Sequence, residues 1–490
     1  MATSAPETGK LIGNYIGGEF VDVDPARERL EDRNPATGEL LAQVPMSGDA
    51  EVQAAVEAAR AAFPAWRATS PLVRARAVMK LREVLEAHKD ELARLVTTDM
   101  GKTLDDAFAE VGRGIESVEH ATSTPVLLKG ENLEGIGTGV DVELVRQPVG
   151  VIAAITPFNF PAMIPLWFLP YAIACGNTFI LKPSEQDPLT SVRIMELIDG
   201  IEEIPKGVVN LVNGGRDCVE AILANPGIDG VSFVGSAATA RIINTRCAEE
   251  GKRCQALGGA KNSMVVMPDA DPDLMVQGVL GSAFGAAGQR CLAGSIAVLV
   301  GDEDEQAASL ELIRAGAEKL VTGDGADPAT DVCPVVTPAA RERIEAAIDE
   351  AVADGLSLAL DGRRNGGAAG AELAPTILDG APIGHRVLTE ELFGPVLSVV
   401  RVPDLDSALE FVNSSRYGNA SVIFTSSGGA ARQYRFGVEA GMVGVNVGVA
   451  APIAWFPFSG WKDSIDGDLH ANGADAVRFY TRSKVVTSRW

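Results

Sequence analysis

Cys291 closes the segment FGAAGQRC, Phe284 to Cys291, whose small residues leave the backbone around one thiol open to an approaching substrate. A thiolate there would attack a carbonyl carbon, and the resulting oxyanion would need hydrogen-bond donors. A lone cysteine is also the commonest kind of inert buried thiol, so the segment alone leaves both readings open. Asn159, in TPFNFP (Thr156 to Pro161), stands between prolines at the carboxyl end of a predicted parallel strand, where such sheets bind ligands. Its amide can donate to an oxyanion or satisfy its own turn. In LKPSE, Lys182 and Glu185 follow another predicted strand and could hold the hydroxyls of an adenosine ribose, or simply start a solvated helix with Glu185 favouring the dipole. Gly235 and Ser236 end GVSFVGS before a predicted helix near Ala237, which offers free N–H groups to a pyrophosphate although the full GxGxxG is missing. Gly135, Gly137 and Gly139 have no strand-then-helix frame and predict a hairpin instead.

The elements that would position these residues alternate in a regular way. Asp49 to Ala62 and Ser70 to Met100 predict helices, the second with Ser70 as N-cap, Pro71 at the first helical position and Gly101 as a stop. A third helix from Thr103 carries Leu104, Phe108, Val111, Ile115 and Val118 on one stripe, and Arg113 lies about 200° around from Val111, facing away from it. Gly112 and Gly114 flank Arg113 at a cost of about 1 kcal/mol each, which suits a place where something approaches closely. From Gln147 onward, predicted strands (VGVIAAI, TFILK, VVNLV, GVSFVGS) alternate with helices, and a second set of such units follows Met264. This is an α/β fold with a doubly wound, Rossmann-like parallel sheet. The terminal VRFYTRSKVVTSRW reads as a strand and a candidate subunit contact.

Composition narrows the function classes. Lys and Arg total 42 against 66 Asp and Glu, a net charge of −24 that repels nucleic-acid phosphates and anionic lipid. An acidic substrate would therefore need arginine or lysine placed locally. Cys175, Cys218, Cys247, Cys254, Cys291 and Cys333 form no CxxC, and His88, His120, His385 and His470 lack ligand spacing, so no metal is expected. Met1 to Lys10 has no apolar core, and a reducing cytoplasm is inferred. Gln147 to Leu181 carries no charge, but five prolines with Asn159 and Asn177 mark it as buried core rather than a membrane span. No solenoid repeat or long linker divides the chain; Asp361 to Gly370 is a plausible surface loop, and the domains are expected to interleave.

Taken together and in order, TPFNFP, LKPSE, FVGS, LGGAKN, GQRC and EELFGPV resemble the aldehyde dehydrogenase superfamily from about Asn14 to Trp490. The resemblance implies Cys291 as nucleophile, with Asn159 and the Cys291 amide as oxyanion hole. It further implies NAD held by Thr156, Phe158, Lys182, Glu185, Gly235, Ser236, Glu391 and Phe393; a carboxylate at 185 repels a 2′-phosphate and favours NAD over NADP. Hydrolytic members carry a glutamate before LGG to activate water, whereas this chain has Ala256. A thiol such as coenzyme A needs less help, so it is the expected acyl acceptor; a hydrolytic dehydrogenase releasing a free acid is the alternative. VGRGIESVEH, AFGAAGQRC, FPFSGWK and GDLHANG are similar to the CoA-acylating methylmalonate-semialdehyde dehydrogenase branch. By that resemblance Arg113 and Arg290 bind the substrate carboxylate, against a surface charge for Arg290 and an i,i+3 pair with Glu116 for Arg113. Decarboxylation before transfer would leave propionyl-CoA or acetyl-CoA. The expected regions are 1–120 with 148–255 for NAD, 256–473 for catalysis, and 121–147 with 474–490 for assembly, as a homotetramer built from two dimers.

Overall fold

The structure is a computed structural model that describes residues 9–24, 26–363, 367 and 369–490. Of the expected loop Asp361 to Gly370, residues 364–366 and 368 lie outside the described residues, as do residues 1–8. Val151–Ile155, Thr178–Lys182 and Gly230–Val234 are buried at every position, the mark of parallel strands covered by helices on both faces. They lie at the centre of an eight-stranded sheet. Its order is Ile465–Asp466, Arg253–Leu257, Gly230–Val234, Val151–Ile155, Thr178–Lys182, Val209–Leu211, Asn14–Ile16, Glu19–Val21. The chain winds outward from Val151–Ile155 to one side, then returns beside it with Gly230–Val234, so the switch point of a doubly wound sheet falls between those two strands.

A seven-stranded sheet follows, in which Asn262–Val266 pairs in parallel with Gly294–Val300 and with Ala420–Phe424. Residues 258–261 alone connect Arg253–Leu257 of the first sheet to Asn262–Val266 of the second. The third sheet contains the expected hairpin, Asn132–Gly137 with Val140–Pro148. The tail joins it: Thr481–Arg489 runs antiparallel to Val140–Pro148 over its whole length. Only that part of the tail is a strand, because Val477 and Phe479 are buried in the helix Gly473–Phe479.

The helices depart from expectation in two places. Ser70 caps Val73 N–H and Gly101 closes at φ +93, but the stretch between is two helices, Pro71–Ala87 and Lys89–Met100. His88 breaks it with φ −111 and ψ 15, its ring Nδ1 lying 2.8 Å from the Val84 carbonyl. In Leu104–Ala121, Val111, Ile115 and Val118 are buried, whereas Leu104 and Phe108 are exposed at 36% and 42%. The close approach is at Gly114, where a Cβ would meet Leu166 Cδ1 at 2.9 Å and Met163 Cα at 3.3 Å. The buried face that this contact selects includes Glu110 rather than Phe108.

Glu110 has a structural task. The helix Met163–Ala174 is apolar, buried from its second residue onward and has no side-chain N-cap of its own, so its first N–H groups need outside acceptors. Glu110 Oε1 accepts from Ala162 N at 2.9 Å and Met163 N at 3.2 Å, while Oε2 pairs with Lys102 Nζ at 2.6 Å. Both partners are about 1% exposed or less, and Lys102 Nζ lies 3.6 Å from the Phe160 ring centre. No helix among the described residues is long and apolar enough to cross a membrane. Glu110→Ala should cost ~3–5 kcal/mol of stability by stranding Lys102 and uncapping Met163–Ala174, and adding Lys102→Met should recover the part due to the stranded charge. Denaturation midpoints check this; equal loss in the single and double variants would contradict it.

Candidate active site

The site lies on the seam between the two large sheets. Toward it point the carboxyl ends of Val151–Ile155, Thr178–Lys182, Gly230–Val234 and Arg253–Leu257, followed by Thr156 to Asn159, Glu185, Gly235 and the Gly258–Lys261 link. From the other sheet come the amino ends of Asn262–Val266, Gly294–Val300 and Ala420–Phe424, and Cys291 sits three residues before Gly294. A cavity of about 330 Å³ joins Cys291 to Arg113, Arg290, Lys102, Glu110, Glu116, Phe160, Met163, Trp167 and Phe458.

Burial, with the Glu391 charge adding to it, pushes the Cys291 thiol up to about 12; its own N–H, the Arg290 guanidinium and the Leu292 N–H pull the other way. Burial drives Cys175, Cys218 and Cys333 to the same value, so acidity does not single out Cys291. Position does: it alone among the cysteines lines the cavity. The approach to it is not the flexible stretch that its small residues suggest. Ala286 and Ala287 hold left-handed φ of 49 and 53, followed by Gly288 at 68, a conformation that costs roughly 1–2 kcal/mol per alanine. Asp106 Oδ2 holds Ala286 N–H at 3.0 Å, and buried Gln289 takes the Val336 N–H at 2.9 Å. Asn159, 3% exposed, donates from Nδ2 to the Gln289 carbonyl at 2.9 Å, which commits one of its two amide hydrogens and sets the side chain beside the thiol loop.

The residues expected at the coenzyme converge on the carboxyl edge of the first sheet. Lys182 Nζ pairs with Glu185 Oε2 at 2.7 Å, and the Thr156 N–H donates to the Lys182 carbonyl at 3.0 Å. Ser236 caps the helix Ala237–Glu249 through the Thr239 N–H, leaving the first N–H groups of that helix outward after Gly235. Phe158 and Phe393 meet edge to face at 5.7 Å. Glu391 Oε1 accepts from Ala260 N at 3.1 Å, and a Cβ at Gly259 would come within 2.7 Å of its other oxygen. The glycine link thus forms a cradle that a side chain would fill.

Arg113 and Arg290 both line the cavity, as expected, and both are already engaged. Arg113 Nη1 pairs with Glu116 Oε2 at 2.7 Å and Nη2 donates to Pro452 O at 2.7 Å. Arg290 Nη2 donates to the Gly281 and Ser282 carbonyls at the end of Pro272–Phe284, while its buried Nε has no partner among the described residues. Sequence reasoning missed Lys261, buried and pulled down to about 8 by burial against the opposing charges of Glu391 and Glu390. It also missed Asp106, Glu110, Asn262 and Asn419. LGGAKN contains two of these residues, but nothing local shows where they point.

A model of the aldehyde dehydrogenase family matches residues 20–486. Malonate-semialdehyde dehydrogenase 1 of Geobacillus kaustophilus (strain HTA426) is 46% identical over 492 residues, covering 100% of both chains. The crystal structure of methylmalonate-semialdehyde dehydrogenase (DddC) from Oceanimonas doudoroffii is 44% identical with TM-score 0.95, covering 98% of each chain. A protein of Sinorhizobium meliloti 1021, described as a methylmalonate-semialdehyde dehydrogenase and solved in complex with NAD, is 42% identical with TM-score 0.96 over 99% of each. The chain belongs to the aldehyde dehydrogenase family.

Burial raises the Glu391 carboxyl to about 7, above its unfolded value, with the Ala260 N–H, Lys261 and Arg343 opposing the rise. Its protonated form therefore stabilises the fold at low pH, and that contribution is lost as pH rises through about 7. Between about pH 5 and 8 the natural chain should lose ~2 kcal/mol of unfolding free energy relative to Glu391→Gln. Denaturant titrations across pH test this, and parallel stability curves would contradict it.

Proposed function

We propose that the chain is an NAD-dependent, CoA-acylating dehydrogenase of malonate semialdehyde or methylmalonate semialdehyde. The observation that carries this reading is the pairing of Ala256 with the cavity. Ala256 is fully buried in its strand and supplies no acid to activate water, while two guanidiniums line the cavity that holds Cys291. Kinship with proteins named for those two semialdehydes, one solved with NAD, supports the substrate and the coenzyme.

Arg113 and Arg290 hold the substrate carboxylate, their guanidiniums offsetting a cavity whose other charged groups are Lys102 and the carboxylates of Asp106, Glu110 and Glu116. Cys291 Sγ attacks the aldehyde carbon, and the remaining Asn159 N–H with the Cys291 N–H receives the oxyanion. Lys182 and Glu185 hold the adenosine ribose, Gly235 and Ser236 face the pyrophosphate, and Glu391 with Thr156, Phe158 and Phe393 borders the nicotinamide end. NAD, when bound, accepts the hydride. The acyl group then stays on Cys291 as a thioester whose carbonyl, β to the free carboxylate, takes up the electron pair of the C–C bond as carbon dioxide leaves; one proton from solvent on the resulting enolate carbon gives the acetyl or propionyl group that coenzyme A carries away. Regions 1–120 with 148–255 serve the coenzyme, 256–473 catalysis, and 121–147 with 474–490 assembly as a cytoplasmic homotetramer. The open edge of Thr481–Arg489, with Val485 63% exposed, suits that last role.

Glu391 favours one rival specifically, since a part-buried carboxyl near 7 that acts on Cys291 could serve as a base for water. Steady-state NADH formation with and without coenzyme A decides between them, with products identified by mass. The acylating reading predicts sustained turnover only with coenzyme A, giving acetyl-CoA or propionyl-CoA; equal turnover without it, giving a free acid, would establish the hydrolytic rival. Arg113→Ala and Arg290→Ala should each lower kcat/KM for malonate semialdehyde ~10- to 100-fold while changing propanal little. Equal losses on both substrates would remove the carboxylate role.

A further inference from the structure

Two amide side chains that the mechanism leaves unused converge on the carbonyl of the nucleophile itself. Asn262 Nδ2 lies 2.9 Å and Asn419 Nδ2 2.8 Å from the Cys291 oxygen. Each residue is only 4% exposed. They come from neighbouring strand entrances, and Asn262 is pinned between them: its Nδ2 also donates to Ala293 O at 3.0 Å, and its Oδ1 accepts the Ala420 N–H at 3.0 Å. On the far side of the same peptide unit, the Leu292 N–H is one of the groups that pull the Cys291 thiol down against its burial. The peptide joining Cys291 to Leu292 therefore takes two donors on its oxygen, while its own N–H favours the ionised thiol. Donors on an amide oxygen polarise the amide and strengthen what its N–H can give, and the gain is larger where water is excluded.

We propose that Asn262 and Asn419 are positioning residues that favour the Cys291 thiolate by polarising the peptide between Cys291 and Leu292. The proposal rests on Cys291 being the nucleophile. A purely structural role, tying the entrances of three strands together, would move stability and leave the reactivity of the thiol where it was. The two asparagines differ usefully. Asn262 bonds three groups, so its loss disturbs the sheet, whereas the Asn419 amide nitrogen bonds the Cys291 carbonyl alone among the described residues.

The test is the rate at which iodoacetamide alkylates Cys291 in the full chain, read by peptide mass over a range of pH. Asn419→Leu should be alkylated about three- to tenfold more slowly at every pH below the thiol's pKa, a factor of ten corresponding to one pKa unit. Its NAD affinity should match that of the natural chain. Asn419→Asp, of nearly the same shape, should be slowed at least as much at neutral pH and covers the case in which the leucine variant fails to fold. Labelling of Cys291 in the natural chain with unaltered rates in the folded variants would overturn this proposal alone. If Cys291 of the natural chain is not the thiol that reacts, the nucleophile assignment falls, and this proposal with it.

Discussion

The register of the two large sheets against each other is set by four residues. Gly258 to Lys261 carry the chain directly from the last parallel strand of one sheet to the first strand of the other, so the carboxyl edge of the first is held against the amino edge of the second. The link has no room for side chains at its start. A Cβ on Gly258 would meet Asp463 O at 2.9 Å and Ala237 Cα at 3.1 Å, and one on Gly259 would press on Glu391. Because these contacts leave the link little freedom, every group on one edge is registered against every group on the other. The Ala260 N–H on Glu391 is the clearest expression of that registry.

Around this seam the thiol loop is built from long-range polar contacts rather than from its own sequence. Asp106 reaches Ala286 from the Leu104–Ala121 helix, Asn159 reaches Gln289 from the end of a strand in the other sheet, and Asn262 with Asn419 reach Cys291 itself. Two left-handed alanines are held in place by this network. The buried Lys102–Glu110 pair works at one remove, since it fixes the start of Met163–Ala174, whose Met163 and Trp167 line the same cavity as Cys291.

What could be read in the sequence followed from local pattern. Hydrophobic strands ending in TPFNFP, LKPSE and FVGS gave the doubly wound sheet and placed the residues that follow those strands along one edge of it. Capping residues placed Ser70 and Gly101 correctly, because a cap acts within four residues of itself. Failures came where a distant partner decides. Nothing near Phe108 says that its place on the helix faces outward, since that depends on Leu166 packing into Gly114. Nothing near His88 says that the helix breaks there, and Val477 and Phe479, expected in a strand, lie on the buried face of a short helix. Asn262 and Asn419 were invisible for the same reason: their meaning is a carbonyl far along the chain.

In the acylating reaction proposed above, the acyl group waits on Cys291 because no acid at position 256 helps water remove it. The direct measurement is a single-turnover experiment with semialdehyde and NAD but no coenzyme A, combining NADH absorbance with the intact mass of the protein. The account predicts a burst of one NADH per active site and an acyl adduct on Cys291 that persists until coenzyme A is added and then leaves with it. Continued NADH formation with no adduct, or an adduct on any other residue, would contradict it.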